Sequence, residues 1–209
     1  GLAVIMTLAV AFFPVIGGEP LLPMQPVQIL WINLVAAVAL ALPLAFEAME
    51  PNLMRRPPRA PNAPVLSPFV LRRTVLVALF MAFGAVGLFL WDYRAALQAG
   101  GSETWAIAKA QTEAVTTVIL FQIFYLLNCR SLYDSMRTVG LWSNPWIYAG
   151  IGTVLALQLG FIYLPFMNAI FGSAPLGALE WIEAAAVAVL IMPLIALEKW
   201  WHRRRSARA

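Results

Sequence analysis

Asn33 is the first residue whose side chain could meet an ion. It lies inside an apolar run from Pro26 to Phe46, and Ala37, Ala41 and Ala45 follow it at four-residue steps. On a helix that stripe forms one smooth face, against which another backbone can approach closely while the Asn33 amide hydrogen-bonds across the contact. The same amide oxygen could instead coordinate a cation, and the residue types leave both roles open. Pro43 removes the helical donor for the carbonyl one turn back, around Ala39. A carbonyl freed in this way binds a neighbouring helix or an ion. In a later apolar run, Gln122 sits in the interior with Tyr125 one turn further along the same face and Gln111 behind it. Polar groups at membrane depth face the bundle or a water-filled cavity, so Gln122 and Tyr125 are either interhelical hydrogen-bonding groups or oxygen ligands. Thr116 and Thr117 can satisfy their hydroxyls on their own helix backbone.

Other chemistry is not provided for. Glu47, Glu113 and Glu183 fall near the ends of apolar runs, while Glu19, Glu50, Asp92, Glu103, Asp134, Glu180 and Glu198 fall in loops or at boundaries. A dehydrated divalent cation takes anionic oxygen ligands, so the chain alone is expected to bind calcium or magnesium poorly, and no metal site is assigned. There is no GxxxxGK[ST] loop and no Ser/His/Asp set, hence no catalytic residue. The single Cys129 excludes an internal disulfide, and one His leaves no Cys/His zinc cluster. That one, His202, is embedded in the basic run WWHRRR, which reads as a lipid-headgroup and topology anchor.

These residues must be positioned by membrane helices. Of 209 residues, 62% are hydrophobic and 11% charged, with a mean hydropathy of +0.80. A soluble domain carries about 25% charged residues, so a water-soluble fold is excluded. Six apolar segments stand out: 1–17, 26–46, 69–91, 112–128, 145–165 and 179–197, followed by a basic tail over 198–209. They predict an all-α, polytopic helical bundle forming one domain. Continuous apolar runs of this length disfavour a β-barrel, whose strands alternate over about ten residues. Gly1 opens directly into an apolar run with no positive flank, unlike a signal peptide, and predicts a chain that starts inside a membrane helix.

Charge sets the expected orientation. Arg55, Arg56, Arg59, Arg72 and Arg73 follow segment two, Arg130 and Arg137 follow segment four, and Lys199, Arg203, Arg204, Arg205 and Arg208 follow segment six. Only Arg94 and Lys109 fall on the opposite side. The positive-inside rule then puts the C-terminus in the cytoplasm and accounts for the net charge of +4 without nucleic acid as a partner. Trp142, Trp146, Tyr148, Trp181, Trp200 and Trp201 near segment ends suit interfacial anchors in the lipid bilayer.

The run LLPMQPVQILWINLV, followed by FEAMEPNLMRRPPRAP, resembles the fifth-to-sixth helix hairpin and the next cytoplasmic loop of type II P-type cation ATPases. The matching order is a proline-containing turn, the Gln28–Leu34 pattern Gln-x-Leu-Trp-x-Asn-Leu, then Met-x-Arg-Pro-Pro-Arg over Met54–Arg59. Downstream, Asn128–Arg130 and Trp142–Trp146 resemble the family's eighth and ninth helices, so the likeness covers essentially the whole chain. It implies that the six segments are the end of helix five and helices six to ten, the C-terminal membrane domain of a bacterial-like pump in the plasma membrane. In calcium-pumping members the sixth helix reads Asn-Leu-Val-Thr-Asp, with Asn, Thr and Asp as ligands. Here it reads Asn33-Leu34-Val35-Ala36-Ala37, so only the Asn carries over. Gln122 aligns with the acidic ligand of the eighth helix, without its charge.

The resemblance therefore implies a transported cation, monovalent or held mainly by helices outside this chain. The other partners it implies are the upstream cytoplasmic ATPase domains and the first membrane helices. Phosphorylation and nucleotide binding belong to those domains, so Mg and ATP are expected for the full-length pump and no cofactor for this chain. The alternative is a non-transporting membrane scaffold or accessory subunit derived from such a pump, which Ala36, Ala37 and the uncharged Gln122 favour.

Overall fold

The computed structural model describes residues 15–16, 19–46, 68–129 and 144–206. Five helices in it are long and apolar enough to cross a membrane. Helix α1 spans Pro26–Leu44, α2 Pro68–Gln98, α3 Glu103–Cys129 and α4 Pro145–Tyr163. A short α5, Pro165–Phe171, leads to α6, Ala178–Val189, and α7, Ile191–Ser206, which together form the fifth span. The fold is thus an all-α membrane bundle. Segment 1–17 lies outside the described residues except for Val15 and Ile16, which pair as a two-residue strand with Glu19–Pro20.

Helix α3 is the axis of the bundle. Its side chains from Ala110 to Phe121 are all buried, because α1, α2, α4, α6 and α7 all pack against it. Gln111, Thr112, Glu113, Thr116 and Thr117 lie within this stretch, and enclosure keeps such polar groups away from lipid. Small residues set the spacing: a Cβ on Gly84 of α2 would come within 2.8 Å of the Phe121 ring and 3.0 Å of Val187 on α6. Helix α1 instead packs on one side only. Trp31, Ile32, Val35, Ala39 and Leu40 are buried, while Leu30, Leu34, Val38 and Leu42 are exposed.

Helix ends follow their local chemistry. Ser102 opens α3, its Oγ accepting from the Trp105 N–H at 3.4 Å, as an N-cap does. Asn144 caps α4, accepting from the Trp146 N–H at 3.1 Å. The expected segment 145–165 stops at Tyr163 because Leu164 precedes a proline and turns extended, φ −82° and ψ 123°. The expected segment 179–197 is interrupted at Leu190, one turn ahead of Pro193, which cannot donate back to Val189. Within α1, residues Ala36–Ala41 adopt the wider π-helical pairing immediately before Pro43.

The largest departure from the sequence-based boundaries concerns α3. It begins at Glu103 rather than near Thr112, and α2 runs on to Gln98 rather than ending at Trp91. Charged residues in these extensions dilute the hydropathy, yet their apolar neighbours keep helical spacing and pack inward: Ala96, Ala106 and Ala110 are buried. Arg94 and Lys109 consequently sit on helices, not in loops, and Glu113 moves from the edge of a segment to the interior of one.

Candidate functional site

Polar side chains tie α1, α3 and α4 together inside the bundle. The Trp31 indole N–H donates to Gln158 Oε1 at 3.3 Å, and Gln158 Nε2 donates to Thr116 Oγ1 at 3.0 Å. The Thr116 hydroxyl in turn donates to the Thr112 carbonyl at 2.8 Å, and Thr112 Oγ1 accepts from the Ala174 N–H at 2.9 Å. Gln111 Nε2 reaches the Leu22 carbonyl at 2.8 Å, and Gln28 Nε2 the Phe171 carbonyl at 3.0 Å. Trp31 also stacks on Phe161 with ring centroids 5.5 Å apart. Each of these groups finds its partner within the protein, as a group without water must. Thr117 likewise donates to the Glu113 carbonyl at 2.8 Å.

The structure does not gather the sequence-predicted ligands into one pocket. Asn33 is exposed on the outer side of α1, between Leu30 and Leu34, which are 68% and 61% exposed. It lies two residues from Trp31, hence about 200° around the helix from the buried face. Ala41 and Ala45 of the expected contact stripe are exposed too. The close approach happens on the other face: Gly150 of α4 sits where a Cβ would overlap the Ala39 carbonyl oxygen and come 2.8 Å from Pro43 Cγ. Small residues admit a neighbouring backbone here as expected, but those residues are Ala39 and Gly150. Pro43 is buried at that contact, and its carbonyl accepts from Asn144 Nδ2 at 2.9 Å. Gln122 and Tyr125 are half-buried one turn apart on α3. The Gln122 Oε1 atom is buried without a hydrogen-bond partner.

A second polar centre lies nearer the ends of α2, α3 and α6. Lys109 Nζ is 2.8 Å from Asp92 Oδ1 and 2.8 Å from Glu180 Oε1, and it lies over the Trp105 ring at 5.6 Å. One helical turn beyond Lys109, Glu113 has no exposure at all, and neither of its carboxyl oxygens has a hydrogen-bond partner. Its Cα is about 15 Å along α3 from Glu103, taking 1.5 Å per residue. Asp92 Oδ2 is a third unpartnered oxygen. Sequence reasoning missed this centre because it started α3 nine residues late. The available signal was the Lys109–Glu113 pair at i, i+4 on a face continued by Ala106, Ala110 and Ala114. At the opposite end of the bundle, Arg73 Nε donates to Glu198 Oε2 at 2.7 Å with both side chains buried. There too, Lys199 Nζ donates to the Asn128 carbonyl at 3.0 Å.

Residues 21–201 match the family described as "Cation transporting ATPase, C-terminus". A Mycobacterium tuberculosis protein named "Probable cation-transporting ATPase F" is 38% identical over 185 residues, covering 88% of this chain and 20% of that protein. The Synechocystis "Cation-transporting ATPase pma1" is 32% identical over 205 residues, 90% of this chain and 21% of that protein. The Schizosaccharomyces pombe "Calcium-transporting ATPase 1" is 28% identical over 184 residues, 88% of this chain and 20% of that protein. The chain therefore spans about a fifth of the length of the curated relatives it matches.

Proposed function

Since the chain belongs to the family of cation-transporting ATPase C-termini, we propose that it is the membrane part of a P-type pump whose ATP hydrolysis occurs outside these 209 residues. The observation that carries this reading is the family match over residues 21–201, which takes in all five membrane helices. ATP and Mg would be handled by cytoplasmic domains outside the chain, and no residue here is assigned to them. The bundle anchors those domains, and the first membrane helices of the pump would pack against its open side.

Asn33 is the ligand supplied from this chain. It sits on a span of mean hydropathy 2.1, and an amide turned toward lipid has no partner there, whereas one turned toward further helices or a cation does. Helix α1 offers its apolar outer face, with Asn33 in it, to the helices that complete the site. Its π-helical turn and Pro43 interrupt the regular helical pairing one turn beyond Asn33. Phosphorylation elsewhere would shift the balance between two packings, one of which presents Asn33 to the ion. Gln122 and Tyr125 are secondary oxygen ligands on α3. The Arg and Lys asymmetry supports a cytoplasmic C-terminus, and the mycobacterial and cyanobacterial relatives favour a bacterial plasma membrane. In the full-length protein, Asn33→Ala is expected to raise the ion concentration that half-saturates phosphoenzyme formation about tenfold, equivalent to 1.4 kcal/mol. Unchanged ion affinity would return Asn33 to a packing role.

A further inference from the structure

We propose that Glu113 binds one positive charge at membrane depth, a proton or an alkali cation, in a buried site shared with Asp92 and approached past Glu180 and Lys109. The side chains become steadily drier along this line: Glu180 is 14% exposed, Lys109 13%, Asp92 5% and Glu113 not at all. The line runs inward from the turns that join α2 to α3 and α5 to α6, so the site has a polar approach from one surface.

The charge balance leaves Glu113 uncompensated. The charged groups whose fields reach it are Asp92 from α2, Glu180 and Glu183 from α6, and Lys109 on its own helix. The one ammonium among them makes its two short contacts to Asp92 and Glu180. The carboxyls of Asp92, Glu180 and Glu183 thus act on Glu113 from neighbouring helices, with the lysine engaged elsewhere and no N–H or O–H donor on either Glu113 oxygen. A bare carboxylate in such a place is strongly unfavourable, which a bound positive charge offsets. Buried carboxyls within membrane spans are expensive and mark ion pathways and proton relays.

The ligand is monovalent. Among the described residues no three His, Cys, Asp or Glu side chains converge closely enough to hold a metal ion, whereas calcium takes six to eight oxygens, several of them anionic. The three orphan oxygens, Glu113 Oε1, Glu113 Oε2 and Asp92 Oδ2, suit one proton or one weakly demanding alkali ion. Neither Asn33 nor Gln122 takes part. The site depends on the chain spanning a membrane and not on the Asn33 reading, so the two can fail separately.

The test is labelling of the full-length protein in lipid nanodiscs with dicyclohexylcarbodiimide, which adds to protonated carboxyls in apolar surroundings, followed by peptide mass mapping. In choline buffer Glu113 is expected to be labelled, with loss of that adduct in Glu113→Gln. If labelling falls as pH rises and is indifferent to sodium or potassium, the ligand is a proton. If either ion protects at constant pH, and raises the melting temperature of wild type but not of Glu113→Gln, the ligand is that cation. Asp92→Asn is a second variant that leaves Glu113 in place and is expected to shift the pH or ion midpoint of labelling. Asn33→Ala is expected to leave it unchanged. Absence of labelling at Glu113 across the pH range, or labelling insensitive to pH, alkali ions and Asp92→Asn alike, would overturn the proposal.

Discussion

Replacing Gly150 by alanine tests whether the α1–α4 contact depends on backbone proximity. The added Cβ would overlap the Ala39 carbonyl oxygen and stand 2.8 Å from Pro43 Cγ. Neither neighbour is the free end of a flexible chain, so α4 must retreat from α1. Overpacking of this kind costs about 1–3 kcal/mol. The retreat also stretches the Asn144–Pro43 and Trp31–Gln158 hydrogen bonds, 2.9 and 3.3 Å long, each worth about 0.6 kcal/mol between membrane helices. Alanine's better helix propensity returns about 1 kcal/mol, which leaves a net loss of about 1–3 kcal/mol. Gly152 is the internal control: on the same helix, a Cβ there would have nothing within 4 Å. Gly152→Ala is therefore expected to be neutral or stabilising by up to about 1 kcal/mol. The assay is unfolding of the full-length protein in detergent, by SDS titration with tryptophan fluorescence. A Gly150→Ala protein as stable as Gly152→Ala would show that the two helices do not pack backbone to backbone.

Three further outcomes are expected. Gln158→Leu keeps the volume but strands the Trp31 indole N–H, and should cost about 1–2 kcal/mol by the same titration, with a smaller extra cost when Trp31→Phe is already present. Arg73→Ala leaves the buried Glu198 carboxylate without its 2.7 Å partner and should destabilise by about 3–5 kcal/mol. Adding Glu198→Gln to it should recover part of that loss, and no recovery would mean that the pair does not act as a unit. Gly100→Cys and Ser206→Cys should label with an impermeant maleimide from opposite faces of intact and inverted vesicles, since the Lys109–Glu180 bridge puts the turn at Gly100 at the far end from Ser206. Labelling of both from one face would contradict the bundle.

The helices were legible where apolar residues alone define them. Pro26 and Pro145 begin α1 and α4 at the expected residues because a proline at the first helical position is both tolerated and pre-organised. The α2–α3 hairpin was not legible to its tip, for a physical reason. Asp92, Lys109 and Glu113 lower the hydropathy of the extensions, but Asp92 and Lys109 pair with each other across α2 and α3, a pairing visible only once the two helices lie side by side. Ala41 and Ala45 suggested a close contact on a face that is exposed, because alanines at i, i+4 say that a face is smooth and nothing about what covers it. Gly150 and Ala39, more than a hundred residues apart, form the contact actually made.

Residue type likewise does not separate structural polar groups from functional ones in this bundle; closure of their hydrogen bonds does. Gln28, Gln111, Asn144 and Gln158 are all buried amides, and each has a partner within the chain. Asn33 has the same chemistry but faces outward, and the Gln122 oxygen is buried without a donor. Glu113, which hydropathy left at the edge of a segment, has the greatest unmet demand among the described residues, since two oxygens and a formal charge go without a partner. Removing a closed amide should weaken folding and leave ion dependence alone, because its interactions end within the bundle. Removing Asn33 or Glu113 should do the reverse, because their interactions are completed by something that arrives from outside it.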